Sequence, residues 1–530
     1  MNKKKLQVWL PLFISLSMLL GMFLGYKLRG NMPAGRSAFR NDGRASVQEV
    51  LELIRTRYVD DISLDTLGQY AIESMLAELD PHSVYIPASD LSAVNEDLAG
   101  RFEGIGVEFN IFNDTVHVLT VLKGGPSDKV GIMPGDRFLK VGDSSVAGTG
   151  ITNDAIRGKL RGPRGTQVAV TMLRGNEQKI FTITRGFIPL VSLDAAYMMD
   201  TQTGYIRLNK FAETTYEEFM AALEMLQGKG MKKLVLDLRD NGGGIMDEAV
   251  DIADEFLDGN RLIVYTEGKH TPRKDYTCRR NGLFEKGTLV LLMNEGSASA
   301  SEVLAGALQD WDRATVIGRR TFGKGLVQEQ YNLRDGAALR LTVARYYSPL
   351  GRSIQKPYEE GLDKYNQEII DRYHNGKLLN ADSNKLANGK TYTTAGGKKV
   401  YGGGGIAPDI FVALDTTRYD TTLSDLYGRN TLGKFAYRYF ISHRAQLGKF
   451  QSPEAYTAGF KVDDPLLDEL VTFARSDSVQ IGPLEPGSKD ILREAVKRLI
   501  ARQIWRNEGY YTVANADDPM VRKAMEVMKN

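Results

Sequence analysis

Between Gly204 and Tyr346, short apolar runs alternate with segments of helical period, and this alternation restricts the chain more than any other feature. Gly204–Leu208, Lys233–Leu238, Leu262–Thr266, Thr288–Met293, Ala314–Ile317 and Ala338–Tyr346 predict strands. Thr215–Gln227, Ile245–Leu257 and Ala300–Trp311 predict helices. Strands and helices taken in turn bury their apolar faces against each other, so the expected core is a β-sheet covered by helices.

At 530 residues the chain is too long for one core, and the texture changes on both sides of that alternation. Residues 1–30 read as a membrane anchor or signal segment. Lys3–Lys5 precede an uncharged run, Leu6–Tyr26 (LQVWLPLFISLSMLLGMFLGY), long enough to span a bilayer as a helix and longer than a typical signal-peptide apolar region. An uncleaved anchor is therefore favoured. Lys27, Arg29, Arg36, Arg40 and Arg44 follow the run, so flanking charge does not assign its orientation. Residues 31–99 comprise a polar linker and a helical region, with apolar spacing near three and four over Val47–Tyr58 and Leu64–Leu79.

From 100 to 188 the chain turns to β-type runs separated by glycines. Gly104–Phe109, Thr115–Val121, Arg137–Val141 and Gln167–Leu173 are strand candidates, and Asn153–Leu160 is a short helix. Residues 189–415 hold the alternating core, interrupted by a polar insertion at 356–401 rich in Asn, Lys, Gly and Tyr. Residues 416–530 read as a helical C-terminal extension.

Bulk chemistry narrows the function classes. The 68 basic and 66 acidic side chains nearly cancel, which gives no footing for nucleic acid as a partner. One cysteine, Cys278, allows no internal disulfide. The five histidines are scattered and no Cys/His group has zinc spacing, so neither a metal nor a cofactor is expected.

Three glycine-bearing turns carry the chemistry. The first, Gly296-Ser-Ala-Ser-Ala-Ser-Glu302, lies between a strand and a helix. Ser299 with Glu302 fits a helix capping box. The same geometry would set a serine hydroxyl beside the Ala300 N–H, where the helix dipole favours an oxyanion. Both readings can describe one turn. A serine nucleophile needs a base, and Lys324 in Thr321-Phe-Gly-Lys-Gly325 is the candidate. Phe322 supplies apolar cover, and burial favours the neutral amine. Gln328, four residues on, could orient the lysine. The third turn, Asp237-Leu-Arg-Asp-Asn-Gly-Gly-Gly244, could add oxyanion donors at Gly243 or Gly244, with Asp237 and Arg239 as a structural ion pair.

The small β module with GIGV at 104–107 and GGPSDKVGIMPGD at 124–136 resembles a PDZ domain. Such domains add an extended peptide to a sheet edge and hold its terminal carboxylate on backbone N–H groups. Gly104, Ile105, Gly106 and Val107 are assigned to that cup.

Together, LVLDLRDNGGG (234–244), NEGSASASEVLAGALQD (294–310) and TFGKGLVQ (321–328) resemble the signature blocks of the carboxyl-terminal processing peptidases, or tail-specific serine proteases. LDPHSVY, GRFEGIGVEF, GYIRLNKF and YYSPLGRSIQ resemble the same family. The resemblance implies a multidomain α/β fold with a ClpP/crotonase-like protease core and a PDZ domain. It implies Ser299 as nucleophile, Lys324 as general base, Gln328 as the lysine-orienting residue, and oxyanion donors at Ala300 and the 242–244 turn. It further implies an extracytoplasmic, envelope-anchored endopeptidase on the periplasmic face of the inner membrane, acting on protein substrates with free apolar C-termini. The insertion and the helical tail depart from the family pattern and could alter substrate access or homo-oligomer assembly. Two rivals carry less: a PDZ-bearing scaffold with an inactive core, and a crotonase-like acyl-CoA enzyme, a family with neither a PDZ insertion nor a Ser–Lys pair.

Overall fold

The computed structural model describes residues 15–23, 27, 44–380, 390–416, 420, 423–482 and 484–529. The chain divides after Met75 into two units. The first holds the helix Arg44–Arg57 and most of the helix Leu64–Ala77. Of the apolar run at 6–26, residues 15–23 are described and are helical, while the linker at 31–43 lies outside the described residues. No helix among the described residues is long and apolar enough to cross a membrane.

In the second unit the alternating segment forms a six-stranded sheet. Its strand order is Leu193–Met198, Thr203–Leu208, Lys233–Asp237, Thr288–Met293, Thr315–Gly318 and Ile410–Phe411. The first pair is antiparallel and the others are parallel. Parallel strands need crossover connections, and two helices supply them simply: Thr215–Gly228 and Ala300–Asp310.

The run TLVLLM is apolar at nearly every position because both faces of its strand are covered. Leu289, Leu291 and Met293 face the cluster that includes Phe219, Phe256, Leu304 and Leu308. Val290 and Leu292 face Tyr197, Tyr205, Met520, Val521 and Met528. The last helix, Pro519–Lys529, therefore closes the second face of the sheet. The end of the C-terminal extension is thus part of the packing of the main sheet.

A second sheet pairs Val84–Ile86, Leu262–Glu267 and Leu326–Asn332 with Ala338–Tyr347, and carries Lys274–Thr277 on its edge. The strand Leu326–Asn332, which follows the lysine turn, was not expected from periodicity. Exposed polar residues at 329–332 give it no apolar alternation to read.

The β module forms its own sheet in the order Val107–Phe112, Thr115–Val121, Arg137–Val141, Gln167–Arg174 and Glu177–Thr184, with Val107–Phe112 at one edge. The predicted helix Asn153–Leu160 is present, capped by Thr152, whose hydroxyl accepts from the Ala155 N–H. Most of the extension is a helical body around Leu426, Phe435, Tyr456, Leu470, Leu492 and Ile500. Its longest helix, Pro486–Asn515, breaks at Trp505–Arg506, where Arg506 has φ 56°. The insertion contains a helix, Leu362–His374, that the polar texture concealed.

Candidate active site

The three glycine turns meet at one end of the main sheet, each at the C-terminal end of a parallel strand. In the segment Asn294–Glu302 the three serines have different fates. Ser297 Oγ donates to the Leu238 carbonyl (2.8 Å) and accepts from the Asn294 N–H (3.0 Å). Ser301 Oγ donates to the Asn241 carbonyl (2.9 Å). Both are fully buried and tie this segment to the 238–241 turn. Ser299 is half-buried, shares a capping box with Glu302 at the start of the helix Ala300–Asp310, and its backbone stands at φ 56°, ψ −115°. A non-glycine residue held at positive φ costs on the order of 1–3 kcal/mol and persists only where its surroundings impose it.

Asn241 is the principal restraint between these turns. Its carbonyl accepts from the Ala298 N–H (3.0 Å) and from Ser301. Its side chain donates to the Leu208 carbonyl (3.0 Å) and accepts from the Gly243 N–H (2.9 Å). Gly243, at φ +93°, lies so close to the serine turn that a Cβ there would sit 2.7 Å from the Ala298 carbonyl oxygen and from Ser299 Cβ. That proximity is what an oxyanion site requires, but the Gly243 N–H itself is engaged by Asn241. The donors without a described hydrogen bond are the N–H groups of Ala300, Gly242 and Gly244, so Gly243 serves by close approach and not as a donor.

Lys324 is brought beside Ser299 by Glu302. This side chain is buried, and one of its oxygens, Oε2, accepts from both the Ser299 N–H (2.9 Å) and the Lys324 N–H (2.8 Å). Oε1 accepts from the Gly323 N–H (2.8 Å) and from Thr321 Oγ1. Burial pushes the Glu302 carboxyl up to about 7 against the opposing pull of these donors. On the other side, the buried Tyr346 hydroxyl lies between the carbonyls of Ser299 (3.1 Å) and Lys324. Glu302 reads in sequence as a cap, and here it fastens two separate turns. Tyr346 reads as strand and gave no signal of its role.

Burial holds the Lys324 ammonium below its ordinary range, helped by Arg340 and opposed by Glu302 and Asp80. A lysine so placed can carry an uncharged amine nearer neutral pH. His82, from LDPHSVY, is electrostatically coupled to Lys324. Burial and that lysine lower the imidazole to about 4, and its Nε2 meets the Tyr365 hydroxyl at 2.8 Å.

Two expected contacts are not made in this conformation. Ser299 Oγ and Lys324 Nζ are not hydrogen-bonded. Gln328, expected to orient the lysine, donates instead to Thr342 Oγ1 (3.3 Å), and Thr342 in turn donates to Asp80 (3.0 Å). The cause is local: the pairing of Leu326–Asn332 with Ala338–Tyr347 shifts register between Val327 and Gln328, which sets Gln328 opposite Thr342.

Asp237 and Arg239 form the expected ion pair. Arg239 (2.6 Å), Arg207 (2.9 Å) and the Tyr205 hydroxyl (2.7 Å) surround the fully buried Asp237. Burial alone would raise its carboxyl, but the two guanidiniums outweigh it and hold the group well below the usual range.

In the β module, Gly104 ends a short strand and Val107 begins the edge strand. Between them the Ile105 carbonyl is held by the Ser127 N–H and hydroxyl, and the Gly106 carbonyl by the Leu122 N–H. The N–H groups of Ile105 and Gly106 make no described hydrogen bond. Such a pair can receive a carboxylate.

Comparison with known proteins adds the following. Residues 202–363 match Peptidase family S41, residues 104–184 match the PDZ domain, and residues 422–506 match a family of unknown function. The chain is 36% identical over 313 residues to a carboxy-terminal-processing protease of Bartonella bacilliformis, covering 58% of this chain and 71% of that one. It is 35% identical over 323 residues to a probable CtpA-like serine protease of Staphylococcus saprophyticus, covering 61% and 65%. A solved photosystem II D1 C-terminal processing protease is 28% identical, covers 71% of this chain and 88% of its own, and has a TM-score of 0.37.

Proposed function

The chain belongs to the carboxy-terminal-processing serine proteases of peptidase family S41 and carries a PDZ domain, and from that premise we propose that it hydrolyses proteins near their C-termini with Ser299 and Lys324. The observation that carries this reading is the allocation of the three serines: two are fully buried and tied to the 238–241 turn, and the third is half-buried on a strained turn beside a buried lysine.

The chemistry follows from these groups. Uncharged Lys324 takes the hydroxyl proton as Ser299 Oγ attacks the peptide carbonyl. The developing oxyanion is received by the Ala300 N–H at the start of the helix Ala300–Asp310, and by the glycine turn, where N–H groups remain available. Lys324 gives the proton to the leaving amine; in the second half Lys324 takes a proton from water, which attacks the acyl carbonyl, and returns it to Ser299 Oγ as the acyl–oxygen bond breaks. Closing the Ser299–Lys324–Gln328 contacts is assigned to substrate binding, since catalytic hydrogen bonds commonly tighten only in the Michaelis complex.

A substrate tail adds as a strand to the edge Val107–Phe112, its carboxylate on Ile105 and Gly106. We place the enzyme outside the cytoplasm, held at the membrane by residues 6–26. The apolar composition of that run and the family supports this placement.

The test is cleavage of an unstructured protein with a free apolar C-terminus by the wild type, Ser299→Ala and Lys324→Ala, with a C-terminally amidated substrate alongside. Loss of activity by at least about a hundredfold in both variants, with a raised KM for the amidated tail, supports the reading. Equal cleavage by all three proteins ends it.

A further inference from the structure

The lysine turn has no strand partner, yet its backbone is buried, so each polar group must find its own acceptor or donor. Its N–H groups are met by the core. Thr321 donates to the Ile406 carbonyl, Phe322 to that of Ser297, Gly323 and Lys324 to Glu302, and Gly325 to Gln355 Oε1. Its carbonyls divide differently. Those of Lys324 and Gly325 are met by the Tyr346 hydroxyl and N–H. Among the described residues, the four before them are met by the insertion alone. Arg372 Nη1 donates to the carbonyls of Arg320 (3.2 Å) and Thr321 (2.8 Å), its Nη2 lies 3.4 Å from that of Phe322, and the Lys356 N–H donates to that of Gly323 (2.9 Å).

Arg372 is 1% exposed and is aimed by Glu368, one turn earlier on the same helix, which accepts from its Nε at 2.7 Å. The insertion also packs around the turn. Tyr365 and Lys356 enclose Phe322, with Lys356 Nζ 4.2 Å from the Phe322 ring and 4.0 Å from that of Tyr365. Tyr373 donates to Glu295, the residue before the serine turn, at 2.9 Å. Residues 364–401 lie beyond the segment that matches the peptidase family.

We propose that the insertion helix Leu362–His374 braces the lysine turn, and that Arg372 is a positioning residue for Lys324, acting through the three carbonyls that precede it. The proposal deepens the Ser299–Lys324 reading and rests on it for its kinetic arm. A planar guanidinium is suited to this task because its fixed fork can meet several carbonyls at once, whereas an ammonium is a single point of charge. The groups facing Lys324 are Glu302 from the serine helix, Asp80 and His82 from the loop before Val84–Ile86, and Arg340 from the strand Ala338–Tyr347. None of them is altered by a change at Arg372. Loosening the turn admits water to Lys324, relieves its burial and moves its titration upward.

The experiment compares Arg372→Gln and Arg372→Lys with the wild type in the full chain. It measures kcat, KM and the pH profile of kcat/KM, together with amide hydrogen exchange across 320–325. Expected are a fall in kcat of at least about tenfold with KM held, an acid limb moved to higher pH, and faster exchange confined to the turn. Lysine should restore only part of the loss. Exchange and kcat within about twofold of wild type overturn the proposal, as does a general loss of stability with kcat per folded molecule and the acid limb unchanged. If Arg372→Gln does not fold, Arg372→Lys decides by the same criteria. Exchange does not depend on cleavage, so an active Ser299→Ala variant would remove the catalytic reading and leave the brace to be judged separately.

Discussion

Glu302→Gln isolates the clamp between the serine and lysine turns without changing volume. At pH 8 the carboxylate is ionised and meets four donors, two at each oxygen. A glutamine offers one oxygen and one NH2, so one pair of donors must face another donor. Turning the NH2 toward Oε2's place would strand the amides of Ser299 and Lys324 together. Turning it toward Thr321 is cheaper, because a hydroxyl can rotate to accept, and this leaves Gly323 alone unsatisfied. One buried donor left without a partner costs about 1–3 kcal/mol. If that cost appears in the placement of Lys324, kcat falls by about 5–150-fold.

A second reading comes from pH. The folded carboxyl titrates near 7, above its unfolded value, so the stability it contributes is present in acid and is lost as pH rises through about 7. Between pH 6 and 8 the wild type should lose on the order of 1 kcal/mol from this group, and the glutamine variant should not. Urea unfolding at several pH values measures the stability, and reporter cleavage measures kcat. A glutamine variant with wild-type kcat and an unchanged pH dependence of stability would refute the clamp.

Gly243→Ala should cut kcat by about a hundredfold with secondary structure intact, since residue 243 stands at φ +93° and its Cβ would push on Ser299, and a shift of about 1 Å at a reacting atom is costly; circular dichroism and cleavage rates check both halves. Ser297→Ala and Ser301→Ala should each lower stability by about 1 kcal/mol while keeping covalent labelling by a serine-reactive phosphonate, and Ser299→Ala should abolish labelling with stability held. Tyr346→Phe should lower kcat by about 5–30-fold at constant KM, because the hydroxyl binds the two turns and no substrate group. Activity should fall as acid protonates Lys324, with the limb lying below an ordinary lysine's range because burial favours the neutral amine; a pH profile of kcat/KM measures it.

What the sequence disclosed and what it hid divide along physical lines. Elements whose burial imposes a period, such as Thr288–Met293 and Asn153–Leu160, were read to within a residue. The strand Leu326–Asn332 and the helix Leu362–His374 were hidden because their outer faces are polar and most of their partners are carbonyls or charged side chains. The last part of the chain read as helical, but the packing of Pro519–Lys529 on the main sheet was hidden because the surface it covers, Val290 and Leu292, is more than two hundred residues away. At the site, the turns at 296–302 and 321–325 were legible from local patterns of small residues, while the choice of Ser299 among three serines came from the family resemblance. Glu302 was legible only in its local role, since its second role depends on a loop twenty residues on. Gly243 was legible as a close approach, but the claim of Asn241 on its N–H could be seen only in three dimensions.

A buried site leaves few polar groups idle, because an unpaired one costs stability. Across Asn294–Glu302, the 241–244 turn and the 321–325 turn, the side chains of Asn241, Asn294, Ser297, Ser301, Glu302 and Thr321 all have protein partners among the described residues. Among the described residues, Lys324 Nζ and the N–H groups of Ala300, Gly242 and Gly244 make no described hydrogen bond, and the half-buried Ser299 stands beside them. A hydroxyl, an amine and a cluster of backbone donors are what acyl transfer demands. The strain at Ser299 points the same way: relaxing its φ would withdraw the N–H from Glu302 and detach the serine turn from the lysine turn. Ser299, one of eight non-glycine residues at positive φ among the described residues, therefore stands where the serine, lysine and glycine turns converge.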